Sequence, residues 1–399
     1  MRTPLFILLG AFAGVVSGFL NMPIIFSLAA EVAHVVENLL KLISVPIIFF
    51  SIVSTIGGMN DAGVLRRIGG RILFYTILTT LMAASVALGL FILVNPVSNS
   101  IMTDHILDEY SMQVSYLSFF REMVPSNIID ALSGRGSVIS VVIVALLMGI
   151  AILSVDEEPK KTLQSVFSGF FEMFLHMAQF VLYTLPFGVW AFVTLFFKNL
   201  DGGAQLWSLA GYLLVVVGAN IVQAVLVLPA LVLLHGANPY LLFVAMRPAL
   251  LLAFFSKSSN ATLPLTLKCA RERAGISSNI ANITLPLCST INMNGCAAFI
   301  LVTVLFVCMS AGYSFTLFDM FIWIGLSTIA AVGNAGVPMG CFFLANAFLA
   351  HMNVPLHLMG VILPFYAVID MIETVVNVWS DSVVALLVDL TNNNTSRKV

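Results

Sequence analysis

Long apolar segments alternate with short polar breaks along the chain. The apolar segments fall near residues 4–20, 36–58, 68–94, 137–155, 165–198, 205–234, 280–312 and 355–390. Each is long enough for a helix that crosses a hydrocarbon core of about 30 Å. The pattern therefore predicts eight membrane-spanning helices. Because 165–198 is overlong, we expect a tilted helix there, broken near Pro186.

Two further apolar stretches, 243–270 and 316–350, are interrupted by small polar residues. The interruptions read SKSSNAT at 256–262 and AAVGNAGVPMG at 330–340. A helix, a polar tip and a second helix are the expected pattern of a re-entrant hairpin. Non-helical backbone at membrane depth persists only where it is buried in protein or faces water. The sequence therefore predicts two re-entrant hairpins.

The last apolar segment carries four polar side chains on one helical face: Asp370, Glu373, Asn377 and Asp381. They are spaced by three, four and four residues, which places them together on a 3.6-residue helix. Thr374 lies at the edge of this face. Acidic groups are costly in hydrocarbon, so the face must look into the protein or into water. It can hold metal cations, a substrate amine, or both.

The seventh apolar segment is interrupted by Asn292, Met293, Asn294 and Gly295. Asparagine and glycine there allow the helix to unwind and to turn carbonyl oxygens toward a hard cation such as sodium. The alternative is a kinked packing helix with asparagines bonded across helices. The acidic face and the two broken hairpins favour the ion site. The first hairpin tip offers hydroxyls and backbone N–H groups suited to a carboxylate, and Lys257 there could pair with an acid or snorkel.

Composition supports a membrane protein. The chain has 399 residues, of which 60% are hydrophobic and only 9% charged, whereas soluble domains are about 25% charged. The net charge of −2 gives no reason to expect a nucleic-acid partner. We interpret the five cysteines as small buried residues rather than a disulfide framework or a metal site. No cofactor is indicated.

Loop charges predict the orientation. Eight spans place the basic loop residues on one side, the cytoplasm, together with both termini: Arg2, Arg66, Arg67, Arg71, Lys160, Lys161, Lys268, Arg271, Arg273, Arg397 and Lys398. The two hairpins then enter from opposite sides of the membrane. Hairpin–helix pairs of opposite orientation form an inverted repeat, which is typical of transporters with a site near the midplane.

The chain resembles the dicarboxylate/amino acid:cation symporters, the glutamate-transporter family. The resemblance covers nearly the whole chain and rests on SKSSNATLP at 256–264, LPLCSTINMNG at 285–295, GNAGVP at 333–338 and DMIETVVNVWSD at 370–381. ENLLKLISVPIIFFSIVSTIGGM at 37–59 and the segment ending GIAI at 149–152 also fit.

The resemblance implies an all-α polytopic membrane protein with eight transmembrane helices and two re-entrant hairpins. It implies a homotrimer in which a transport domain moves across the membrane against a fixed scaffold. The chain would form one transporter unit, 1–399, with scaffold and trimerisation helices near 1–67 and 137–234, a transport domain near 68–94 and 243–390, and a cytoplasmic tail at 391–399. A bacterial inner membrane is the expected location.

The resemblance also implies site residues. The substrate pocket would comprise Ser258, Ser259, Asn260, Val337, Asp370, Glu373, Thr374 and Asn377. Asp370 would hold the amino group, and Asn377 with Ser259 the carboxylate. One sodium site would use the Cys288 carbonyl, Asn292, Asn377 and Asp381. A second would use Thr290 with carbonyls near Ala331, Val332 and Asn334, and a third Thr79, Thr80, Asn292 and Asn294.

Two departures from the family pattern bear on function. The glutamate and aspartate carriers have NMDG where this chain has NMNG, so the neutral Asn294 weakens or removes the third sodium site. Those carriers also have an arginine where this chain has Glu373, and that arginine pairs with the substrate's side-chain carboxylate. A buried glutamate repels an acidic side chain unless it is protonated.

The Asp-x-x-Glu-Thr arrangement resembles the sodium-coupled serine/threonine branch of the family. We therefore expect a small neutral amino acid as the substrate. A cationic amino acid, paired with Glu373, and a sodium- or proton-coupled glutamate/aspartate symporter are the alternatives.

Two other classes of function use the same polar helices. An uncoupled anion channel would show no uphill accumulation. An intramembrane hydrolase would need Asp370 and Asp381 as a catalytic pair, but eleven residues of helix separate them by about 16 Å. That distance is too long for the two carboxylates to share a proton or a water, so we expect no enzyme.

Overall fold

The computed structural model describes residues 3–20, 22–58, 62–97, 125, 127–132, 138–198, 204–332, 334 and 339–396. Within these residues the secondary structure is helical, without a β-strand. The helices are α1 (Thr3–Leu20), α2 (Pro23–Gly57), α3 (Ala62–Val94), α4 (Ile128–Leu132), α5 (Val138–Leu153), α6 (Glu157–Lys198), α7 (Ala204–Val222), α8 (Leu228–Leu234), α9 (Pro239–Ser256), α10 (Ser259–Glu272), α11 (Ser278–Ile291), α12 (Asn294–Ser310), α13 (Leu317–Val332), α14 (Gly340–His351) and α15 (His357–Ser396). A π-helical turn, Gln223–Val227, joins α7 to α8.

Six helical spans of the described chain are long and apolar enough to cross a membrane: Pro23–Ser54, Ile68–Val94, Gln205–Leu234, Pro239–Ser256, Ser278–Ser310 and His357–Asn392. The bent helix α6 makes a seventh. The shorter apolar helices Leu9–Leu20 and Ser140–Leu153 match the first and fourth predicted segments. Each apolar segment of the sequence is therefore helical where it is described. Pro239–Ser256 is the first arm of the first hairpin.

Helix α6 bends by 47° between Glu157–Val181 and Tyr183–Lys198. Pro186 lacks the N–H that would bond the carbonyl oxygen four residues earlier, so the helix opens one turn before the proline. The predicted break near Pro186 is confirmed.

The first hairpin turns over a two-residue tip. Lys257 adopts the left-handed backbone conformation (φ 56°, ψ 26°) and ends α9. Ser258 then caps α10, because its Oγ accepts a hydrogen bond from the backbone N–H of Ala261 at 3.3 Å. In the second hairpin α13 and α14 flank the predicted tip, of which Asn334 and Met339 are the described residues between the two helices.

The seventh span is broken at the predicted place. Helix α11 ends at Ile291 and α12 begins at Asn294. Between them Asn292 (φ −98°, ψ 71°) and Met293 (φ −106°, ψ 68°) leave the helical conformation. The break brings asparagine side chains and free backbone groups into a largely buried span.

The helices pack in two groups, which contact each other where α6 meets α15 and α2 meets α14. In the first group α6 packs against α1 and α2, and α2 also packs against α5. In the second group α15 packs against α9, α11 and α12, and α12 packs against α3, α13 and α14. The span formed by α7 and α8 contacts α3, α12 and α15. These contacts connect residues 204–234 to the second group, although the sequence analysis assigned them to the scaffold.

A row of glycines lets α1 approach α6 closely. Gly10, Gly14 and Gly18 recur every fourth residue and face α6. A Cβ atom added at Gly10 would lie 2.3 Å from the carbonyl oxygen of Pro186. Small residues at this spacing are typical of tightly packed membrane helices.

We predict that Gly10→Ala destabilises the protein by about 1–3 kcal/mol, because the added methyl group meets rigid backbone. Thermal unfolding of the detergent-purified protein, followed by tryptophan fluorescence, measures this as a lower midpoint. Gly169→Ala in α6 is the matched control, since no atom lies within 4 Å of the added Cβ. Equal midpoints for the two variants would contradict the close contact.

Candidate functional site

The polar face of α15 is buried inside the protein. Asp370 is 5% exposed, Glu373 1%, Asn377 3% and Asp381 2%. Helices α9, α11 and α12 cover this side of α15. The prediction that the face looks into the protein is confirmed.

A small cavity of about 10 Å³ lies beside this face. Five of the predicted substrate-binding residues line it: Ser259, Asp370, Glu373, Thr374 and Asn377. The rest of the lining was not predicted as substrate-binding and consists of Lys257, Met293, Cys296, Asn334 and Cys341. The cavity is therefore built from the first hairpin, the break between α11 and α12, the second hairpin and α15.

Two carboxylate oxygens in this cavity, Asp370 Oδ2 and Glu373 Oε1, have no hydrogen-bond partner among the described residues. The other oxygen of Glu373, Oε2, accepts a hydrogen bond from the Tyr366 hydroxyl at 3.2 Å. A buried acceptor without a partner costs about 1–3 kcal/mol. The cavity thus favours a ligand that brings two hydrogen-bond donors.

The first hairpin tip reaches the same cavity. Lys257 Nζ donates a hydrogen bond to the carbonyl oxygen of Ala367 at 2.6 Å, and so connects the tip to α15. The side chain of Ser258 caps the N-terminus of α10. Asn260 accepts a hydrogen bond from Ser289 Oγ at 3.1 Å and therefore faces α11. Of the predicted substrate-binding residues, Val337 lies outside the described part of the chain.

The first predicted sodium site is partly assembled. Asn292 Nδ2 donates to Asp381 Oδ1 at 2.9 Å and to Ser380 Oγ at 3.0 Å. The Cys288 carbonyl accepts the backbone N–H of Asn292 at 2.9 Å. The side chain of Asn377 turns away from this cluster, because its Oδ1 accepts the backbone N–H at position 295 at 2.8 Å.

Close approach of α12 to α15 requires Gly295. A Cβ atom there would lie 2.8 Å from the Cα atom of Glu373 and 2.8 Å from Asn220 Oδ1. The glycine therefore allows the broken span to contact the acidic face directly.

The residues of the third predicted sodium site meet, but an amide fills the centre. Asn294 Nδ2 lies 3.3 Å from Thr79 Oγ1, 3.4 Å from Thr80 Oγ1 and 3.0 Å from Asn292 Oδ1. The Asn294 carbonyl oxygen in turn accepts from Gln223 Nε2 at 2.7 Å. The amide N–H groups thus satisfy the oxygens that a cation would bind.

The second predicted site is not formed by side chains. The Thr290 hydroxyl donates to the Leu287 carbonyl of its own helix at 2.7 Å, a common local bond for threonine. Asn334 Nδ2 points to Cys296 Sγ at 2.9 Å. Ala331 and Val332 lie in the last turn of α13, which contacts α11, so their carbonyl groups remain the candidate ligands.

Cys296 of α12 and Cys341 of α14 are joined by a disulfide. The interpretation of all five cysteines as separate buried residues is wrong for this pair. Their 45-residue separation concealed the contact. Cys269, Cys288 and Cys308 are free and buried, as expected.

Sequence reasoning missed Gln223, Tyr366 and Ser380. Gln223 and Asn220 are amides in an apolar span, which is itself a signal of a polar contact inside the membrane. Tyr366 lies two helical turns before Glu373, so extending the acidic face by one step would have found it. Ser380 lies three residues after Asn377, so the spacing of the face would also have found it.

Comparisons with known proteins agree with this architecture. Neutral amino acid transporter B(0) of Oryctolagus cuniculus is 26% identical over 381 residues, which cover 86% of this chain and 70% of the relative. Neutral amino acid transporter A of Homo sapiens is 25% identical over 403 residues, or 90% and 75% of the two chains. The proton/glutamate-aspartate symporter of Escherichia coli (strain K12) is 24% identical over 386 residues, or 94% and 88%.

The sequence model of the sodium:dicarboxylate symporter family matches residues 4–391, nearly the whole chain. This match confirms the resemblance drawn from the motifs and the prediction of an all-α polytopic membrane protein. Symporters move solutes across a membrane, so the match also decides against the hydrolase alternative. The chain belongs to the sodium:dicarboxylate symporter family.

Proposed function

We propose that the protein is a sodium-coupled symporter of small neutral polar amino acids, with serine and threonine as the leading substrates. The observation that carries the proposal is the free oxygen of Glu373, buried at the cavity beside Asp370. A carboxylate there accepts a hydrogen bond from a substrate hydroxyl and repels a second carboxylate. The similarity to two neutral amino acid transporters supports it.

The substrate would bind with its ammonium group on Asp370, whose Oδ2 lacks a partner among the described residues. Its carboxylate would lie at the N-terminus of α10, near Ser259 and Asn377, where helix N–H groups favour an anion. The cavity of about 10 Å³ has room for about one water molecule. Binding of an amino acid therefore requires the groups that line the cavity to move apart.

Sodium would bind at two places. Asp381 and Ser380 offer carboxylate and hydroxyl oxygens, which hard cations prefer. The Asn292 amide N–H₂ donates to both of them, so it would have to turn away when the ion binds. A second ion would lie between α11 and the carbonyl end of α13, beneath the second hairpin. Each net positive charge that moves inward gains about 2.3 kcal/mol per 100 mV, so two ions could drive considerable accumulation.

The two helix groups suggest an elevator-type motion. We assign α1, α2, α5 and α6 to a scaffold that forms a homotrimer. We assign α3 and the helices from α7 to α15 to a moving transport domain. The contacts of α7 with α3 and α12 are the reason for placing residues 204–234 in the moving part. We place the protein in a bacterial inner membrane with both termini in the cytoplasm.

Glutamate or aspartate is the second candidate substrate class. Lys257 lines the cavity, and its ammonium could pair with a side-chain carboxylate in place of the family's arginine. The similarity to the proton/glutamate-aspartate symporter of Escherichia coli also favours this candidate.

In proteoliposomes with an inward sodium gradient, we predict uphill accumulation of labelled serine or threonine that Asp370→Asn reduces at least tenfold. The ammonium loses its charged partner, and each tenfold change is about 1.4 kcal/mol. Asp319→Asn is the matched control, since Asp319 is a partly exposed acid at the start of α13 and asparagine can keep its bond to the Thr316 N–H. Aspartate accumulation instead of serine would favour the second candidate, and no uphill accumulation would favour a channel.

We predict that Asn294→Asp adds a third coupled sodium ion, because a carboxylate replaces the amide that donates to Thr79, Thr80 and Asn292. Reversal potentials of sodium- and serine-loaded proteoliposomes measure the number of charges moved per substrate. Asn294→Ala removes the amide without adding charge and should keep the wild-type ratio. An unchanged ratio in Asn294→Asp would show that the amide does not stand in for a cation.

A further inference from the structure

Tyr366 lies behind the cavity lining and shares a helical face with Glu373, seven residues later. Its side chain is fully buried, at 0% exposure. The hydroxyl donates to Glu373 Oε2 at 3.2 Å. The ring of Tyr366 also packs against that of Phe342, in the first turn of α14. Tyr366 therefore connects the second hairpin to the acidic face.

Aromatic packing fixes the ring of Tyr366. Its centroid lies 4.7 Å from that of Phe299 in α12 and 5.3 Å from that of Phe342 in α14. Both distances are in the range of favourable aromatic pairs. The position of the hydroxyl is thus set by three helices.

A phenol has a single O–H to donate. Asp370 is another carboxyl group near this hydroxyl, and the O–H of Tyr366 donates to the side chain at position 373. Tyr366 therefore demands an acceptor from that side chain. With glutamate, one oxygen meets this demand, and the other oxygen faces the cavity as a second acceptor.

We infer that Tyr366 is a specificity-determining positioning residue that holds Glu373 as an acceptor, so that the cavity selects an amino acid whose side chain donates a hydrogen bond. The inference deepens the proposed function and rests on it. Short hydroxyl side chains are the chemistry that fits, because the donor must reach Glu373 while the ammonium binds Asp370.

The first test compares serine with alanine, which lacks only the hydroxyl. In sodium-driven uptake, Tyr366→Phe keeps the ring but removes the O–H that orients Glu373. We expect the serine-to-alanine ratio of uptake efficiencies to fall about tenfold, as for one hydrogen bond to a charged group. The Tyr366 hydroxyl also lies near Asp370. Any effect of the substitution on Asp370 lowers the uptake of both substrates alike and leaves their ratio unchanged.

Tyr212→Phe is the matched control. Tyr212 is also fully buried, but its hydroxyl bonds Thr303 Oγ1 at 2.8 Å and not a residue that lines the cavity. The Tyr212→Phe variant should change serine and alanine uptake by the same factor. If Tyr366→Phe behaves in the same way, Tyr366 has only a structural role and the inference is wrong.

The second test replaces the hydrogen-bond acceptor at position 373 by a donor. In Glu373→Gln the Tyr366 O–H still donates to the oxygen of the side-chain amide, so the amide N–H₂ faces the cavity. We expect serine uptake to fall and competition by aspartate, whose side chain accepts hydrogen bonds, to rise. Adding Tyr366→Phe frees the amide to rotate and should abolish this gain. A gain that persists in the double variant would overturn the inference.

The outcomes separate the two proposals. If the wild-type protein accumulates no amino acid with sodium, the proposed function fails. If it accumulates serine and the serine-to-alanine ratio does not respond to Tyr366→Phe, the positioning role alone fails. If Tyr366→Phe does not fold, the Glu373→Gln variant still tests the inference. Competition by aspartate that does not change in this variant would contradict the prediction that the amide N–H₂ faces the cavity.

Discussion

The burial of three carboxyl groups within one membrane-spanning helix is the constraint on which the structure depends. Asp370, Glu373 and Asp381 are each at most 5% exposed, and a charged side chain at membrane depth costs at least about 2.5–3.5 kcal/mol. The surrounding helices are broken where they meet this helix. The break at Asn292 and the turn at Lys257 bring amide and ammonium donors that an unbroken apolar helix could not supply.

The buried polar side chains differ in whether they find hydrogen-bond partners within the protein. Asn294 is satisfied internally, because it donates to Thr79 and Thr80 and accepts from Gln223. Asp370 and Glu373 each keep an oxygen without a partner among the described residues. A satisfied amide network supports structure, whereas unpaired buried oxygens beside a cavity favour a ligand. This difference distinguishes the predicted third sodium site from the proposed substrate site.

Hydrophobic periodicity predicted the spans, the two hairpins and the acidic face, because each depends on residues close in sequence. Asparagine and glycine likewise marked the break in the seventh span. Contacts between distant residues could not be predicted, among them the Cys296–Cys341 pair and the bond between Gln223 and Asn294. Side-chain orientation likewise could not be predicted. Thr290 bonds its own helix and Asn377 faces Gly295, since local backbone groups compete with a distant partner.

Binding of serine to the purified protein, measured by titration calorimetry with and without sodium, tests the central claim most directly. If Asp381 and the broken span bind sodium beside the substrate site, sodium must raise the affinity for serine, and serine must raise the affinity for sodium by the same factor. Asp381→Asn should remove both effects and leave weak sodium-independent binding. Serine affinity that does not change with sodium in the wild-type protein would contradict the account.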